Sequence, residues 1–328
     1  MKDKKIAVII VTWNARESLL RGLDILKKET KSELYDLFIV DNGSTDGTFS
    51  SLQTLYPDAW LWYNQENVGF ARGVNIALKH LLKEKKYDYI LLLNADVELQ
   101  GRALENMLAF LEQHGEATGV GPALILPDYS YQAGAGGYLP SLWTAAAYFF
   151  GLSRIFPRLI KGLFLEQKAF GKEKEAFKVD WISGACLLVR SKAFDEAGLL
   201  DESFFFSGED IEWCWRLKKK GMKLFYLPEV KVIHHHGATR ENLPAFTAAW
   251  IPNLLYLIRR EKGKGIAFLI RLCAIIGFFC RLLFWTLINF TSKNKFKKGL
   301  TERKLKEIKI FFRAAIFASS ANAANLFS

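Results

Sequence analysis

Four apolar runs, three of them stopping on polar residues, constrain this chain more than any other feature. Ile6–Val11 stops at Thr12-Trp13-Asn14, Leu37–Val40 at Asp41-Asn42-Gly43-Ser44 and Tyr89–Leu93 at Asn94-Ala95-Asp96, while Ala59–Trp62 is the fourth run. Short apolar runs without alternation suit strands buried on both faces. Between them lie segments with helical spacing: Leu19, Leu20, Leu23 and Leu26, then Phe70, Val74, Ala77 and Leu81, then the segment GRALENMLAFLEQH. Strands alternating with helices of this length predict an α/β domain with a mostly parallel central sheet and flanking helices on both faces. In such sheets ligands bind beyond the carboxyl ends of the strands, so these polar ends should open on one side and hold the site.

The chain has 328 residues, half of them apolar, enough for a sizeable core. No G-x-G-x-x-G follows the first strand, which counts against a nicotinamide or flavin enzyme. Four cysteines without a C-x-x-C pair exclude a disulfide framework and fit reduced thiols in the cytosol. The basic start MKDKK leads into an apolar run that is too short for a signal peptide and reads as the first strand.

The net charge of +11 is unevenly spread. Residues 259–313 hold 15 basic and 3 acidic side chains, a surplus of 12 that leaves the rest near neutral. The basic residues flank apolar runs rich in Phe, Leu and Ile. That mixture points to an anionic membrane surface and away from nucleic acid. Residues 266–290 are long enough to span, roughly 37 Å as a helix against a hydrocarbon core of about 30 Å. Arg271 and Arg281 interrupt them, at a cost of about 2.5–3.5 kcal/mol each near the bilayer centre. The expectation is therefore helices lying in the interface, with Leu305, Ile308, Phe312 and Ala315 making one apolar face of the last helix. An amphipathic tail packed on protein is the competing reading. Residues 129–178 are irregular, and the segment SLWTAAAYFFGLSRIFPRLIKGLF reads equally as an insertion touching acceptor or membrane and as a core segment.

Each chemical motif carries two readings. Asp41 in DNGSTDGT is either a turn-forming Asx residue or an acceptor for the imide N–H of a uracil or thymine ring. Asp96 is either a helix-capping or turn residue or a ligand for a hard cation that also binds substrate phosphates, with Asn94 as the weaker companion. Arg72 stands near a helix start, where it is either a surface residue or close to a diphosphate. Glu209 and Asp210 follow three phenylalanines. They either cap the next helix with Ser207 or supply a general base beside an aromatic wall. Three histidines follow a strand, and alternation lets His234 and His236 share a side for a metal or a phosphate.

Taken in order, VTWN, VDNGSTDGT, ENVGFARGVNIA, LLLNADV, SGACLLVR, FFFSGEDIEWCWRLKKKG and HHHGATR resemble the family 2 inverting glycosyltransferases of the GT-A fold. Within them the chain is most similar to the bacterial rhamnosyltransferase-like branch that builds cell-surface polysaccharide. The resemblance covers about Lys4 to Arg240. It implies a Rossmann-like GT-A catalytic domain over 1–244, with a nucleotide-sugar half (1–125) and an acceptor half (126–244). Residues 245–328 remain as a basic amphipathic helical tail that associates with the membrane.

Thr12 and Asp41, with Trp13, Asn14 and Asn42 around them, would line the nucleoside site, and Arg72 and Asn94 would lie near the nucleotide. Asp96 would take the place of the metal-binding acid of the D-x-D motif, whose first position is Asn94 here, as it often is in this branch. Asp210 would be the acceptor-activating base with Glu209 beside it, and His234 the leading metal or diphosphate histidine, with His236 next. The implied cofactor is a divalent cation, Mg²⁺ or Mn²⁺. The implied donor is a dTDP- or UDP-sugar, and the acceptor a polyprenyl-diphosphate-linked glycan at the cytoplasmic face of the membrane, where the protein would be peripheral or monotopic. A sugar nucleotidyltransferase is the alternative enzyme class, but VTWNARES is not the Gly-rich basic loop it wants. A non-catalytic, membrane-bound nucleotide-sugar-binding protein is the third reading.

Overall fold

The computed structural model describes residues 6–166, 173–235, 249–291 and 295–317. Contacts divide the chain into two compact units. One holds residues 1–138, 164–205 and 209–241, and the other holds 139–163, 206–208 and 242–328. The second unit thus takes in a piece of the irregular segment together with the C-terminal helices.

The first unit is built on a nine-stranded sheet. Its strands in chain order are β1 (Ile6–Thr12), β2 (Tyr35–Asp41), β3 (Trp60–Tyr63), β4 (Tyr89–Asn94), β5 (Val97–Glu98) and β6 (Ala117–Ile125). After β7 (Gly136–Gly137) come β8 (Phe177–Val179), β9 (Trp181–Ile182), β10 (Cys186–Arg190) and β11 (Lys223–His234). The order across the sheet is β3-β2-β1-β4-β10-β6-β11-β5, with β8 also on β11, while β7 and β9 form a separate ribbon. β3, β2, β1 and β4 are mutually parallel, and β11 is parallel to β6. β10 enters between β4 and β6 antiparallel to both.

The apolar runs are strands because they are covered from both sides. Ile6 to Ile10 are all at or below 2% exposure, and at about 1.5–3 kcal/mol per fully buried aliphatic side chain such a strand is a main source of stability. The helices Arg16–Glu29, Phe70–Glu84 and Ala103–Gln113 bury the faces that the spacing predicted: Leu19, Leu23 and Leu26 on the first, Val74, Ala77 and Leu81 on the second. β6 was not legible as a strand, yet all nine of its residues are buried. Its glycines are the reason it fits: a Cβ on Gly121 would lie 2.2 Å from Ile182 Cγ2, and one on Gly119 2.6 Å from Val189 Cγ1.

Register brings the polar strand ends together. Thr12 pairs with Asp41 across β1 and β2, and Val11 with Asn94 across β1 and β4. Because β10 runs the other way, its first residues join the same edge, where Asn94 N–H donates to Ala185 O.

The second unit is helical. Trp250–Thr291 is a long helical stretch, broken at Gly263 with φ +86°, and Lys295–Phe317 is the last helix. Phe278 packs on Phe311 and Phe279 on Phe312, while Lys304 lies over the Trp285 ring. The contacts run in opposite senses along the two helices, so the pair is antiparallel. Ile308 and Ala315 of the expected apolar face are buried. Leu142–Phe149 opens with a capping box made by Ser141 and Thr144, and its Phe149 packs against Gly277 and Phe278.

The two arginines that interrupt the apolar run are both bonded. Arg271 donates to the carbonyls of Ala315 and Ile316, and Arg281 to that of Tyr148, each at the C-terminal end of a neighbouring helix. That is where a cation complements the helix dipole and the open carbonyls. By length and composition Trp250–Thr291 is able to cross a membrane.

Candidate active site

Three groups of side chains meet at the polar edge of the first unit. The first follows β1 and β2. Asp41 is fully buried and Thr12 nearly so. Asp41 Oδ1 accepts from Ser44 N–H at 2.8 Å, the bond that closes an Asx turn. Its Oδ2 and the Thr12 hydroxyl have no hydrogen-bond partner among the described residues. Burial pushes the Asp41 carboxyl above its ordinary value, against the two Ser44 bonds that pull it down. Turn chemistry therefore explains one oxygen of Asp41 and leaves the other as an acceptor without a donor.

The neighbours of Asp41 build the loops. Asn14, at φ +48°, donates its N–H to Ser44 Oγ and accepts from Thr45 N–H, each at 2.8 Å, which ties the loop after β1 to the loop after β2. Asn42 donates to Asn67 Oδ1 and Gly69 O and accepts from Asn64 Nδ2, so its amide is spent on the loop before the Phe70–Glu84 helix. Trp13 is half-buried beyond β1. Arg72 is exposed on the first turn of that helix, where its charge helps hold the Glu202 carboxyl below the usual range, behind the larger effect of the Asn75 amide. Gly69 is required at the helix start, because a Cβ there would lie 2.5 Å from Phe205 O.

The second group joins β4, β5 and β11. His234 Nε2 lies 3.1 Å from Asp96 Oδ1 and 3.4 Å from Asn94 Nδ2. On its other side Nδ1 is 2.8 Å from Gln132 Oε1. With Nδ1–H donating to Gln132, Nε2 is the nitrogen turned toward Asp96. A neutral imidazole in that tautomer points a lone pair at a carboxylate, a contact that needs a proton or a metal ion between them. Among the described residues no three His, Cys, Asp or Glu side chains converge as a cage. One carboxylate, one imidazole and one amide suit a cation that takes the rest of its oxygen ligands from substrate phosphates.

His235 faces elsewhere: its Nε2 is 2.6 Å from Glu98 Oε1, which Arg21 also meets at 3.1 Å. Glu98 is thus a buried anchor, not a solvated acid. His236 lies outside the described residues.

The third group is the acidic pair. Asp210 is only half-buried. Its Oδ2 accepts from Gly184 N–H at 3.2 Å, in the turn before β10, and its Oδ1 from Ile211 N–H at 2.8 Å. Glu209 is buried. Of two adjacent carboxylates, Asp210 is therefore the one able to reach a substrate hydroxyl. The sequence reading missed Gln132 and Gly184. Gln132 sat in a loop with no periodicity, and Gly184 acts through a backbone N–H that no side chain announces.

Residues 7–149 match the family model described as glycosyl transferase family 2. The N-acetylglucosaminyl-diphospho-decaprenol L-rhamnosyltransferase of Mycobacterium tuberculosis is 28% identical over 265 residues, covering 79% of this chain and 85% of that one. Rhamnosyltransferase WbbL of Escherichia coli is 28% identical over 272 residues, covering 79% and 93%. Among solved structures, the mannosyltransferase PcManGT from Pyrobaculum calidifontis, in complex with GDP-Man and Mn²⁺, aligns at a TM-score of 0.58 over 96% of this chain and 86% of that one. At 15% identity that likeness is one of fold.

Proposed function

This chain is a family 2 glycosyltransferase of the rhamnosyltransferase-like branch with a GT-A fold, and from that premise we propose that it moves rhamnose or another hexose from a dTDP- or UDP-sugar to a polyprenyl-diphosphate-linked glycan. The observation that carries the reading is the shared edge. An open acceptor at Asp41 and the Asp96–His234 pair stand at strand ends, those of β2 and β4 aligned by register with β1, and the half-open Asp210 carboxylate at the head of the Glu209–Lys219 helix is tied to the same edge through Gly184 N–H. The donor chemistry of the fold relative, solved with GDP-Man and Mn²⁺, and the lipid-linked acceptor in the name of the mycobacterial relative support it.

In this reading Asp41 accepts from the imide N–H of the base, which requires the loops after β1 and β2 to part, since Asp41 is sealed from solvent. Asp96 and His234, with Asn94, would hold a Mg²⁺ or Mn²⁺ ion, which would supply neutralisation of the charge on the leaving diphosphate. Gln132 keeps the imidazole turned so that Nε2 stays on that side. The backbone N–H groups of Gly184 and Ile211 fix the Asp210 carboxylate, which removes the proton from the acceptor hydroxyl as that oxygen attacks the anomeric carbon. One displacement inverts that carbon, the outcome typical of the family. Arg72 is a surface cation available to the donor phosphates.

The helical unit is read as lying on the cytoplasmic face of the membrane, in keeping with four free cysteines. A span is disfavoured by its partner helix. If residues 266–290 crossed the bilayer, the packed helix beside them would carry Lys304, Lys306, Lys309 and Arg313 into it, at about 2.5–3.5 kcal/mol per charge near the centre. Lying in the interface avoids that cost.

The test is release of nucleoside diphosphate from dTDP-rhamnose, UDP-glucose, UDP-galactose, UDP-GlcNAc and GDP-mannose with a bacterial lipid extract, in Mg²⁺, Mn²⁺ or chelator. Release with one dTDP- or UDP-sugar, dependent on lipid and cation, is the expected outcome. Tight donor binding with no turnover under any condition would favour the non-catalytic reading.

A further inference from the structure

Three residues, Phe206–Gly208, belong to the helical unit, although Phe205 before them and Glu209 after them belong to the first. They lead directly into the helix that carries Asp210. Two of them have left-handed backbone, Ser207 at φ +69° and Gly208 at φ +103°. Glycine takes such a conformation freely. A serine does not, because its Cβ crowds the following carbonyl oxygen, so the surroundings must hold Ser207 in place.

Asn253 supplies that hold. It stands in the first turn of Trp250–Thr291, where its backbone N–H donates to Ala249 O at 3.2 Å. Ile251, Leu254, Leu255, Leu257 and Ile258 around it are buried, and Asn253 itself is only 1% exposed. An amide at that depth destabilises the fold unless it is hydrogen-bonded. Its Nδ2 donates to Phe206 O at 2.9 Å and to Ser207 O at 2.7 Å. Those two carbonyls belong to the peptide planes on either side of the Ser207 Cα. With both planes held, φ and ψ at Ser207 are set.

The chain on each side of this turn is anchored separately. Upstream, Phe205 O accepts from Phe70 N–H at 2.9 Å, and the Asn75 amide donates to Leu200 O and accepts from Leu200 N–H. Downstream, Glu209 is buried and the Asp210 carboxylate rests on the N–H groups of Gly184 and Ile211.

We propose that Asn253 is a positioning residue for the transfer reaction: by holding Ser207 left-handed it sets the direction in which the Glu209–Lys219 helix begins, and so keeps Asp210, and not Glu209, turned toward the acceptor hydroxyl. The proposal rests on the reading of Asp210 as the base. Relaxation of Ser207 to negative φ would redirect the chain at residues 208–210. The groups assigned to the nucleotide, Thr12 and Asp41, follow other strands, so the loss falls on turnover and not on donor binding.

The test uses the full chain. Nucleoside-diphosphate release with the donors and lipid extract named above is measured for the wild type, N253A, D210N, D210N/N253A and N253A/S207G. Calorimetry with dTDP and UDP and a melting curve accompany each. In N253A kcat should fall by about 10- to 100-fold, the scale on which a misplaced reacting group slows turnover, with nucleotide affinity unchanged. In the D210N background the same substitution should cost nothing further, because its effect passes through the Asp210 carboxylate. N253A/S207G should turn over faster than N253A, since glycine adopts the left-handed turn unaided. An asparagine with a purely structural role would produce neither of the last two results.

Wild-type turnover in a folded N253A would overturn the proposal. So would an equal fold-loss from N253A with and without the Asp210 carboxylate. If N253A melts too low to assay, Asn253→Ser, whose hydroxyl still donates to one carbonyl, carries the same cycle. Wild-type turnover in D210N alone would sink the base reading and this proposal with it, a result read before Asn253 is altered.

Discussion

Two ends of the polar edge treat their carboxylates in opposite ways. After β2, Asp41 is buried with one oxygen lacking a donor. After β4 and at the head of the Glu209–Lys219 helix, Asp96 and Asp210 are bound into contacts, one with His234 and the other with two backbone N–H groups. A buried acceptor left open lowers stability until a ligand supplies the donor. A bonded carboxylate is already oriented, which is what a reacting group needs. Substitutions at the first end should therefore appear in donor binding and stability, and those at the second in turnover and cation dependence.

The largest effect expected is at Asp210. Asp210→Asn keeps the shape and removes the proton acceptor, so kcat should fall by roughly 10²–10⁴, the usual contribution of a positioned general base, with the donor Kd little changed. Glu209→Gln acts on a buried carboxylate and should lower Tm more than kcat. Equal loss of turnover in both variants at unchanged Tm would erase the difference between the two acids. Steady-state kinetics with donor titration and a melting curve decide it.

Gln132→Leu probes the same end through a residue that touches no substrate. Without its Oε1 the imidazole of His234 loses the bond that fixes its tautomer. The Mn²⁺ concentration for half-maximal activation should rise by about 10- to 100-fold, the range seen when groups behind a metal ligand are removed. Mn²⁺ titration followed by EPR in the presence of nucleoside diphosphate gives a readout independent of turnover, and Gln132→Glu, which keeps an acceptor, should restore it. An unchanged Mn²⁺ affinity in Gln132→Leu would leave the contact purely structural.

Much of this was legible before the structure because the same residues carry fold and site. The runs ending at Thr12, Asp41 and Asn94 are strands by apolar content and site candidates by their last residues. The parallel sheet then brings those ends together. β6 escaped because Gly119, Gly121 and Pro122 read as turn residues, although the glycines serve close packing against Val189 and Ile182. Gln132 escaped because nothing in the chain around it says that a loop folds back on a strand 102 residues later. Glu98 was readable as an acid but not as a buried one, since its partners Arg21 and His235 come from distant parts of the sequence. Local pattern encodes periodicity and turn chemistry, whereas contacts across the sheet are written only in three dimensions.

The smallest effect lies at the open end and has a definite sign. Burial raises the Asp41 carboxyl above the 3.8 of an ordinary aspartate, so the folded protein holds this proton more tightly than the unfolded chain does. Between the two values the folded state carries the extra proton, and stability falls as pH rises through that window, then levels off above the folded value. This is the reverse of a salt-bridged aspartate, which loses stability on acidification. Asp41→Asn removes the titration. Its melting temperature should show a flatter pH dependence across that window and should match or exceed the wild type at pH 7, while the donor Kd rises by about tenfold, the scale of one hydrogen bond to a charged group. Thermal melts from pH 3.5 to 8, with donor binding by calorimetry, separate the cases. If the variant were less stable at pH 7, with the wild-type slope and unchanged donor affinity, Asp41 would be a turn residue only, and the two ends of the edge would no longer differ in kind.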